Sequence, residues 1–348
     1  MTSAMRAFAL GLLTLVATSV AVAAVPEYPC FRAETAPTLD GVVTGDPAWA
    51  RVPIATGFSV LGGTFSESKQ TTVQACWDDE ALYVGVVCEE PDIAHMKLTV
   101  RDGGPGWLDD GLELFLQPVQ GGQTYQFITT AGAARTGWEG LPDALKYQAA
   151  AAKGEDTYSL ELRLPFALVA ASPKLGDAWR ANFCRNTFTT VSGGDKFTCW
   201  APLKKQFLEP ENYGLIRFRG ALPSVEEARM IGDEISGAYR AHLLASLEEV
   251  AAVAGEYVPA LRDATRAQRF RGRAARLRRE WRELQQVMRD ADAAGTGELR
   301  ALVRGADALL QSQLAQGQKD SQQMRAAVRN DLINREMLSQ ASKKKGIP

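Results

Sequence analysis

The sequence predicts an all-β sandwich over residues 25–221, followed over residues 222–348 by an α-helical antiparallel coiled coil or bundle. Three observations support this division. Short runs in the first part alternate between apolar and polar residues, as half-buried strands do. The second part is rich in Ala, Arg, Glu and Leu, with apolar residues three and four positions apart. Acidic residues outnumber basic ones by 24 to 18 before Ser224, whereas basic residues outnumber acidic ones by 21 to 17 from there onward.

Residues 1–24 have the pattern of a cleavable signal peptide. Arg6 gives a positive start, Ala7–Val22 is apolar and uncharged, and small residues around Ala24 suit cleavage. The apolar run of 16 residues is shorter than the roughly 20 that span a bilayer as a helix. We therefore expect a secreted, periplasmic or cell-envelope protein. A formal net charge of −2 provides no field that would attract nucleic acid.

Strands are expected wherever the first part alternates with a period of two. Leu82–Cys88, Leu112–Leu116 and Tyr158–Leu164 follow this pattern, which places one face of each strand on a core and the other toward solvent. Phe166–Ala171 is expected to form one short helical turn. Many short strands favour a sandwich over a fold that alternates strands with helices. Turn-forming clusters separate the strands at Asp78-Asp79, Gly103-Gly104-Pro105, Gly121-Gly122 and Ser192-Gly193-Gly194.

The helical region begins at Ser224, a residue type that caps helices, with Glu226 and Glu227 in the first turn. Pro259 and the segment 295–297 divide the region into three predicted helices, over residues 224–255, 259–293 and 296–340. We expect the sandwich and the helices to separate near residues 221–224. The predicted seam between the helices consists of Leu277, Trp281, Leu284 and Met288, followed by Leu299, Val303, Ala306 and Leu310.

The second predicted helix is basic, because ten arginines and four acidic residues lie between Leu261 and Asp290. Two interpretations stay open. The helix binds an anionic surface or an acidic protein partner, or its basic face is simply solvated. His242, in the first predicted helix, is expected to be a packing residue.

Cys184 and Cys199 form the one candidate disulfide among five cysteines. A hairpin between residues 182 and 200 places them opposite each other, near disulfide distance, and an exported protein permits disulfides. The alternative is that both are small buried hydrophobic residues. No pair of cysteines has the Cys-x-x-Cys spacing of a zinc site.

The sequence contains no motif that points to catalysis. His95 and His242 are its only histidines, and Gly-x-Ser-x-Gly, phosphate-loop and dinucleotide motifs are absent. Asp109, Asp110 and Glu113 form one local acidic cluster rather than the pair of carboxylates across a cleft that glycoside hydrolysis requires. We therefore expect a binding protein with no catalytic residue, and keep a glycoside hydrolase as an alternative.

Two aromatic residues lie in polar loops instead of strands. Trp107 lies in the Gly-rich segment 103–110, and Phe207 lies in the segment 204–210. An exposed ring beside carboxylates and amides suits a sugar, because the C–H face of a pyranose stacks on the ring while polar groups bind the hydroxyls. The alternative is that either ring covers the sandwich core.

Eight motifs occur in order through nearly all of residues 28–219. With them the region resembles family 9 carbohydrate-binding modules, within the wider DOMON-like group of sandwiches. The most characteristic is Trp107-Leu108-Asp109-Asp110-Gly111-Leu112-Glu113 with the strand that follows it. The others are Thr38-Leu39-Asp40-Gly41 with Asp46-Pro47-Ala48-Trp49, Cys76-Trp77-Asp78-Asp79 with the next five residues, Glu90-Pro91-Asp92, and residues 158–165, 176–182, 199–200 and 212–218.

The resemblance implies a terminal sugar held between two aromatic rings, with a Glu and an Arg among its polar partners. Trp107 matches the first ring and Glu113 matches the glutamate, with Asp110 close by as a further acceptor. Phe207 stands where the family has a second Trp, and Ile128 stands where it has the Arg. The implied function is non-catalytic binding of a saccharide or polysaccharide, associated with glycan metabolism and accessory to carbohydrate-degrading enzymes.

Other implications of the resemblance concern cofactors. Structural calcium is implied, with Asp78, Asp79 and Asp109 as candidate ligands. Some DOMON-like relatives bind haem through His and Met, and His95-Met96 is the one such pair before residue 222, but adjacent residues do not readily ligate opposite faces of one iron. A further alternative is a structural or adhesion protein of the envelope, whose sandwich is a scaffold and whose helices bind a partner.

Overall fold

Twelve strands form one continuous sheet in the computed structural model of the protein, which describes residues 25–306 apart from 67, 138–143, 190, 192, 256–270 and 292. The strands are β1 Glu27–Arg32, β2 Ser59–Val60, β3 Thr71–Trp77, β4 Ala81–Glu89, β5 Gly111–Gln117, β6 Tyr125–Thr130, β7 Arg135–Gly137, β8 Gln148–Lys153, β9 Thr157–Pro165, β10 Ala178–Asn186, β11 Phe197–Cys199 and β12 Gly214–Ala221. Their order is β7-β6-β5-β10-β12-β1-β3-β4-β9-β8, and β11 pairs with both β10 and β2.

The sheet folds over on itself, and its two halves pack around one core. Leu114 and Phe183 of the first half lie in the same buried cluster as Val84 and Leu162 of the second half. Parallel pairing of β1 with both β12 and β3 joins the halves. This arrangement confirms the predicted β-sandwich, and the three strands predicted from alternation are β4, β5 and β9. The predicted helical turn is a 3-10 turn at Phe166–Val169.

The expectation that the second face of each strand meets solvent is wrong for β5, whose seven residues are all buried, and for β4, which is buried along most of both faces. Residues 40–52, which we call the Trp49 cover, lie across it. A Cβ on Gly85 of β4 would be 3.0 Å from Cε2 of Trp49. Glu161 of β9 holds the cover, because its Oε1 accepts from Trp49 Nε1 and its Oε2 from Gly41 N, each at 2.8 Å. A loop that folds back over a sheet buries outer residues that alternation assigns to solvent.

Cys184 and Cys199 lie directly opposite each other between β10 and β11, as predicted, but they are free thiols. The Cys199 thiol points to the backbone and donates to Ser59 O at 3.6 Å. Both cysteines pack with Phe115 and Tyr213 in an apolar cluster on the outer side of this half of the sheet. The predicted disulfide is therefore wrong, and the alternative of small buried hydrophobic residues is correct. Burial raises the pKa of the Cys199 thiol to about 11.

Four helices follow the sandwich in the described residues: α1 Val225–Ile235, α2 Gly237–Gly255, α3 Arg271–Ala291 and α4 over residues 296–306. Ser224 caps α1 as predicted, with its Oγ accepting from Glu227 N at 3.2 Å and its own N–H donating to Glu227 Oε2 at 2.8 Å. The single helix predicted over 224–255 is wrong, because the chain breaks at Ser236. There Ser236 Oγ accepts from Thr56 N of the sandwich at 3.2 Å.

The helices pack on the sandwich beside the Trp49 cover. The Phe65 ring lies 5.2 Å from the rings of both Tyr239 and His242, which confirms His242 as a packing residue. Gly57, at a φ of +87°, lies so close that a Cβ there would be 2.5 Å from the Cβ of Tyr239. Arg51 donates to the carbonyls of residues 222 and 223, so the connection itself is bonded to the sandwich. Separation of the two parts near residues 221–224 stays a prediction.

A small apolar core forms between the helices. Leu243 and Leu247 of α2 pack with Leu299 and Ala306 of α4, and Met288 and Val303 lie at its edge. Four members of the predicted seam thus meet. The side chains of Leu277, Trp281 and Leu284, together with Leu310 and the remainder of the predicted third helix, lie outside the described part of the chain. No described helix is both long and apolar enough to cross a membrane. The predicted leader, residues 1–24, is also outside the described part.

Candidate functional site

Trp107 lies in a 3-10 turn, Gly106–Leu108, that packs on β5 and β6. Gly106 is buried against the sheet, and a Cβ there would be 2.8 Å from Thr136 Oγ1 and 3.0 Å from Ile128 Cγ2. A glycine at this position lets the turn lie directly on the outer face of the sheet. The Trp107 side chain points away from the core and is 45% exposed. Its ring is thus available as a flat apolar surface.

Glu113 lies on the same outer face, since Leu112 and Leu114 on either side of it enter the main core. Its carboxylate is only 4% exposed. Oε1 accepts from Asn186 Nδ2 and Oε2 accepts from Gln126 Nε2, each at 2.6 Å. Burial raises the pKa of Glu113, and the two hydrogen bonds oppose that rise. Because a carboxylate only accepts, both amides turn their nitrogens toward Glu113 and their carbonyl oxygens away from it.

Phe207 is half-buried, in a loop at the other side of this face. Its ring meets Phe197 of β11 edge-on, with centroids 5.8 Å apart. Phe197 is directly opposite Asn186 in the β10–β11 pairing, so Phe207 and Trp107 flank the Glu113 group from opposite sides. The Phe207 loop is held by Glu209, whose carboxylate accepts from the backbone N–H groups of residues 204, 205 and 206. We call this surface, formed by the outer sides of β6, β5, β10 and β11, the site face.

A family model described as "Carbohydrate family 9 binding domain-like" matches residues 39–221, more than half of the chain. The chain belongs to this family. Family 9 membership confirms the resemblance found in the sequence motifs. The matched region ends at the last residue of β12. No curated protein matches the chain.

Solved structures similar to this chain include two of a family 9 carbohydrate-binding module from Caldicellulosiruptor kristjanssonii, one in complex with cellotriose and one with glucose. Both are 18% identical with a TM-score of 0.43, and the alignments cover 56% and 55% of this chain and 94% and 96% of those chains. A putative carbohydrate-binding protein from Bacteroides uniformis is 13% identical with a TM-score of 0.45, over 56% of this chain and all of the other.

Asp110 is fully buried, which differs from its predicted role as a sugar acceptor. Its Oδ2 accepts from Lys97 N at 2.8 Å and from Thr189 Oγ1 at 3.1 Å, and its Oδ1 accepts from Phe188 N at 3.0 Å. The carboxylate therefore joins the segments on either side of the Trp107 turn. In this family 9 chain Asp110 holds the segments of Lys97 and Phe188 together.

Ile128, which the sequence resemblance places where family 9 modules have an Arg, is directly opposite Glu113 in the β5–β6 pairing. It is 1% exposed and contacts the Trp107 turn through Gly106. An Arg at this position would supply charged donors beside Glu113. Here the site face has an apolar contact at that point, and Glu113 takes its donors from Asn186 and Gln126 instead.

Sequence reasoning missed the two amides and a group of aromatic and basic residues beside them. Lys97 Nζ lies 5.0 Å from the centroid of the Phe188 ring, and Lys196 Nζ lies 4.5 Å from the same ring. Strand parity could have found Asn186 and Gln126, since both occupy outer positions of strands, β10 and β6. No sequence pattern could have pointed to the two lysines, because they meet Phe188 only through the loops that Asp110 joins.

The candidate calcium ligands have partners within the protein. Asp78 accepts from Tyr83 OH at 2.8 Å and from two backbone N–H groups of its own turn, and Asp79 is paired with Arg32. Asp109 is buried and accepts from Thr99 Oγ1 at 2.9 Å. No group of three or more metal-binding side chains occurs in the part of the chain that the structure describes. Calcium binding stays a prediction.

A cleft of about 1230 Å³ lies where the helices meet the outer face of β3 and β4. Charged side chains pair across it: Glu89 of β4 accepts from Arg300 and, at 2.8 Å, from Arg304. Asp233 of α1 accepts from Thr296 N at 2.8 Å. This cleft follows the seam along which the helices pack, whereas exposed aromatic surface lies on the site face.

Proposed function

We propose that the sandwich binds a saccharide on its site face, without catalysis. The observation that carries the proposal is Trp107, a ring 45% exposed beside the buried group of Glu113, Asn186 and Gln126. Membership of a family of carbohydrate-binding domains supports the same conclusion. The C. kristjanssonii modules are in complex with cellotriose and with glucose in those structures.

The proposed binding mode combines stacking with oriented hydrogen bonds. A pyranose ring lies on Trp107, with Phe207 at the far side of the site. The carbonyl oxygen of Gln126, which is half-buried, accepts from a sugar hydroxyl, because Glu113 fixes which way this amide points. Asn186, 1% exposed, holds Glu113 from the other side. Glu113 acts through the amides and is not the principal acceptor. A shallow, partly solvated contact of this kind corresponds to dissociation constants of roughly 1 μM–1 mM.

Calorimetric titration of the full chain, after a glycan-array screen, tests this proposal. We expect Trp107→Ala to abolish binding while the protein keeps its thermal unfolding midpoint, since the exposed ring contributes little to the core. Leu175→Ala, which removes an exposed side chain (69% exposed) outside the site, is the matched control and should bind as the wild type does. Unchanged binding in the folded Trp107→Ala protein would place the site elsewhere.

We further propose that the protein is exported and assists glycan metabolism, as an accessory to carbohydrate-degrading enzymes. The leader pattern in residues 1–24 supports export. A structural or adhesion role, with the helices bound to a partner, is the alternative. Exposed Arg279, Arg282 and Arg289 of α3 support an anionic surface or acidic protein as that partner. Binding of the full chain to anionic vesicles that disappears at high ionic strength would favour this role of the helices.

A further inference from the structure

The surface between Trp107 and Phe207 has four aromatic rings with two lysine side chains among them. These residues are Trp107, Lys97, Phe188, Lys196, Phe197 and Phe207, and we call them the aromatic–lysine row. Resting on the proposed function, we propose that this row makes the site selective for acidic saccharides, in which a sugar carries a carboxylate, as uronic acids do. Lys196 is the principal group that binds this carboxylate, and Lys97 is the second.

Lys196 is held in place without being neutralised. Its Nζ lies 4.5 Å from the centroid of Phe188 and 5.2 Å from that of Phe197, and the side chain is exposed. Aromatic faces attract an ammonium group through their quadrupole but carry no net charge. Among the described residues no carboxylate forms an ion pair with Lys196, and the adjacent Asp195 accepts from Ser66 Oγ at 2.7 Å. The ammonium keeps its full charge and its donors for a ligand.

Lys97 approaches the same ring from the side of the Trp107 turn. Its Nζ lies 5.0 Å from the centroid of Phe188 and donates to Leu108 O at 2.5 Å. Asp109 Oδ1 lies 3.9 Å away, but that carboxylate is buried and accepts three hydrogen bonds from the segment 99–100. The charge of Lys97 is therefore partly compensated by Asp109, and its side chain is 41% exposed. We expect it to bind a ligand carboxylate more weakly than Lys196 does.

Both lysines contact residues that are neighbours of Trp107 or Asn186 in the chain. Leu108, which accepts from Lys97, follows Trp107 directly, and Phe188 is two residues beyond Asn186. Phe197 is directly opposite Asn186 in the sheet. We expect a sugar that stacks on Trp107 to place a ring carboxylate toward these lysines. These lysines supply cationic donors on a site face where Ile128 supplies none.

The expected size of the preference follows from the exposure of the lysines. Ion pairs that stay in contact with solvent contribute modestly, so we expect each lysine to change affinity for an acidic saccharide about two- to five-fold. The contribution should decrease at high ionic strength, because salt screens exposed charges. Affinity for neutral saccharides should depend on the rings and amides and not on the lysines.

Calorimetry of the full chain with matched probes tests the preference. The probes are trisaccharides of galacturonate, glucuronate and mannuronate, each compared with its methyl ester, which has the same rings and linkages but no charge. Lys196→Met keeps the aliphatic stem and removes the ammonium group. Lys174→Met is the matched control, because Lys174 is exposed before the start of β10 and Lys196 lies beyond its other end. The length of that strand separates the two lysines by roughly 30 Å.

We expect at least one acid to bind more tightly than its ester, Lys196→Met to weaken the acid about two- to five-fold without changing the ester, and Lys174→Met to change neither. Equal binding of acids and esters, or a Lys196→Met protein that binds both as the wild type does, overturns the acidic preference. If Trp107→Ala still abolishes binding in that case, the saccharide site stands and only its selectivity is wrong. If no uronate or ester binds while another saccharide of the glycan array does, the acidic preference is overturned and the saccharide site stands. If no saccharide of the array binds, or Trp107→Ala changes nothing, the proposed function fails together with this inference.

Discussion

The two halves of the sandwich each carry a Trp and a Glu on their outer face, and they use them differently. Trp49 is 2% exposed and donates from its indole nitrogen to Glu161 at 2.8 Å. Trp107 is 45% exposed, and the nearby Glu113 binds the side-chain amides of neighbouring strands. In one half the carboxylate holds a loop down on the sheet. In the other it orients two amides, of which that of Gln126 is partly exposed.

This difference shows that a Trp and a carboxylate on one sheet face do not by themselves define a sugar site. The two arrangements differ in the groups that donate hydrogen bonds to the carboxylate. Glu161 binds backbone N–H groups and an indole N–H, which have no second polar atom to offer a ligand. Glu113 binds amide NH₂ groups, and each amide still has a carbonyl oxygen. The three predictions that follow separate these two arrangements, beginning with the largest expected effect.

Replacing each Trp by Ala should separate stability from binding. We expect Trp49→Ala to lower the free energy of unfolding by about 3–5 kcal/mol, because it empties a fully packed position. Trp107→Ala should lower it by less than about 1 kcal/mol, since nearly half of the ring is already in water. Denaturant unfolding of both variants measures the difference. Similar losses of stability in the two variants would show that the Trp107 turn is part of the core.

Replacing each Glu by Gln should break the two arrangements in different ways. Glu161→Gln places an NH₂ group against N–H donors, and we expect a loss of about 1–3 kcal/mol in unfolding free energy. Glu113→Gln allows one neighbouring amide to turn over, which preserves hydrogen bonding and removes one acceptor from the site. Saccharide affinity should then fall about two- to ten-fold, as expected for one lost hydrogen bond. An unchanged affinity of a folded Glu113→Gln protein would contradict the role of Glu113 as the group that orients the amides.

The pH dependence of stability gives the smallest of the three effects. Burial raises the pKa of Glu113 above its ordinary 4.5, so the folded protein binds this proton more tightly than the unfolded chain does. The stability that Glu113 contributes is therefore complete below pH 4.5 and is lost as pH rises through its raised pKa. Glu113→Gln should remove this decline from the unfolding free energy measured across that range. Glu161→Gln should remove a similar decline, because burial raises the pKa of Glu161 too, but only the Glu113 contribution should respond to saturating saccharide.

The sequence was sufficient for the sandwich because alternation and turn residues are local signals. The Leu112–Leu116 run placed β5 correctly, and its parity placed Glu113 outside the core. The capping residues Ser224 and Glu227 located the start of α1. Parity says which side of a strand a residue occupies, but it does not say what covers that side. The covered outer faces of β4 and β5 were therefore missed.

The residues around the site were predicted less completely because they meet through tertiary contacts. Asp110 was expected at the surface, yet backbone donors from two distant loops bury it. Lys97 and Lys196 are 99 positions apart in the sequence and meet at a single ring, Phe188. The break of the first helix at Ser236 has the same origin, because its hydroxyl binds the sandwich at Thr56. None of these contacts produces a periodic pattern in the sequence.

The five free thiols make the folded state resistant to alkylation. All five are buried, and burial raises the pKa of each, to about 12 for Cys76 and about 11 for Cys199. Because the thiolate is the reactive form, a native molecule labels only when its sheet opens. Cys76 and Cys88 belong to one half of the sandwich, Cys184 and Cys199 to the other, and Cys30 to the strand that joins them. The order in which mass spectrometry finds them modified would therefore reveal which half opens first, with no introduced probe.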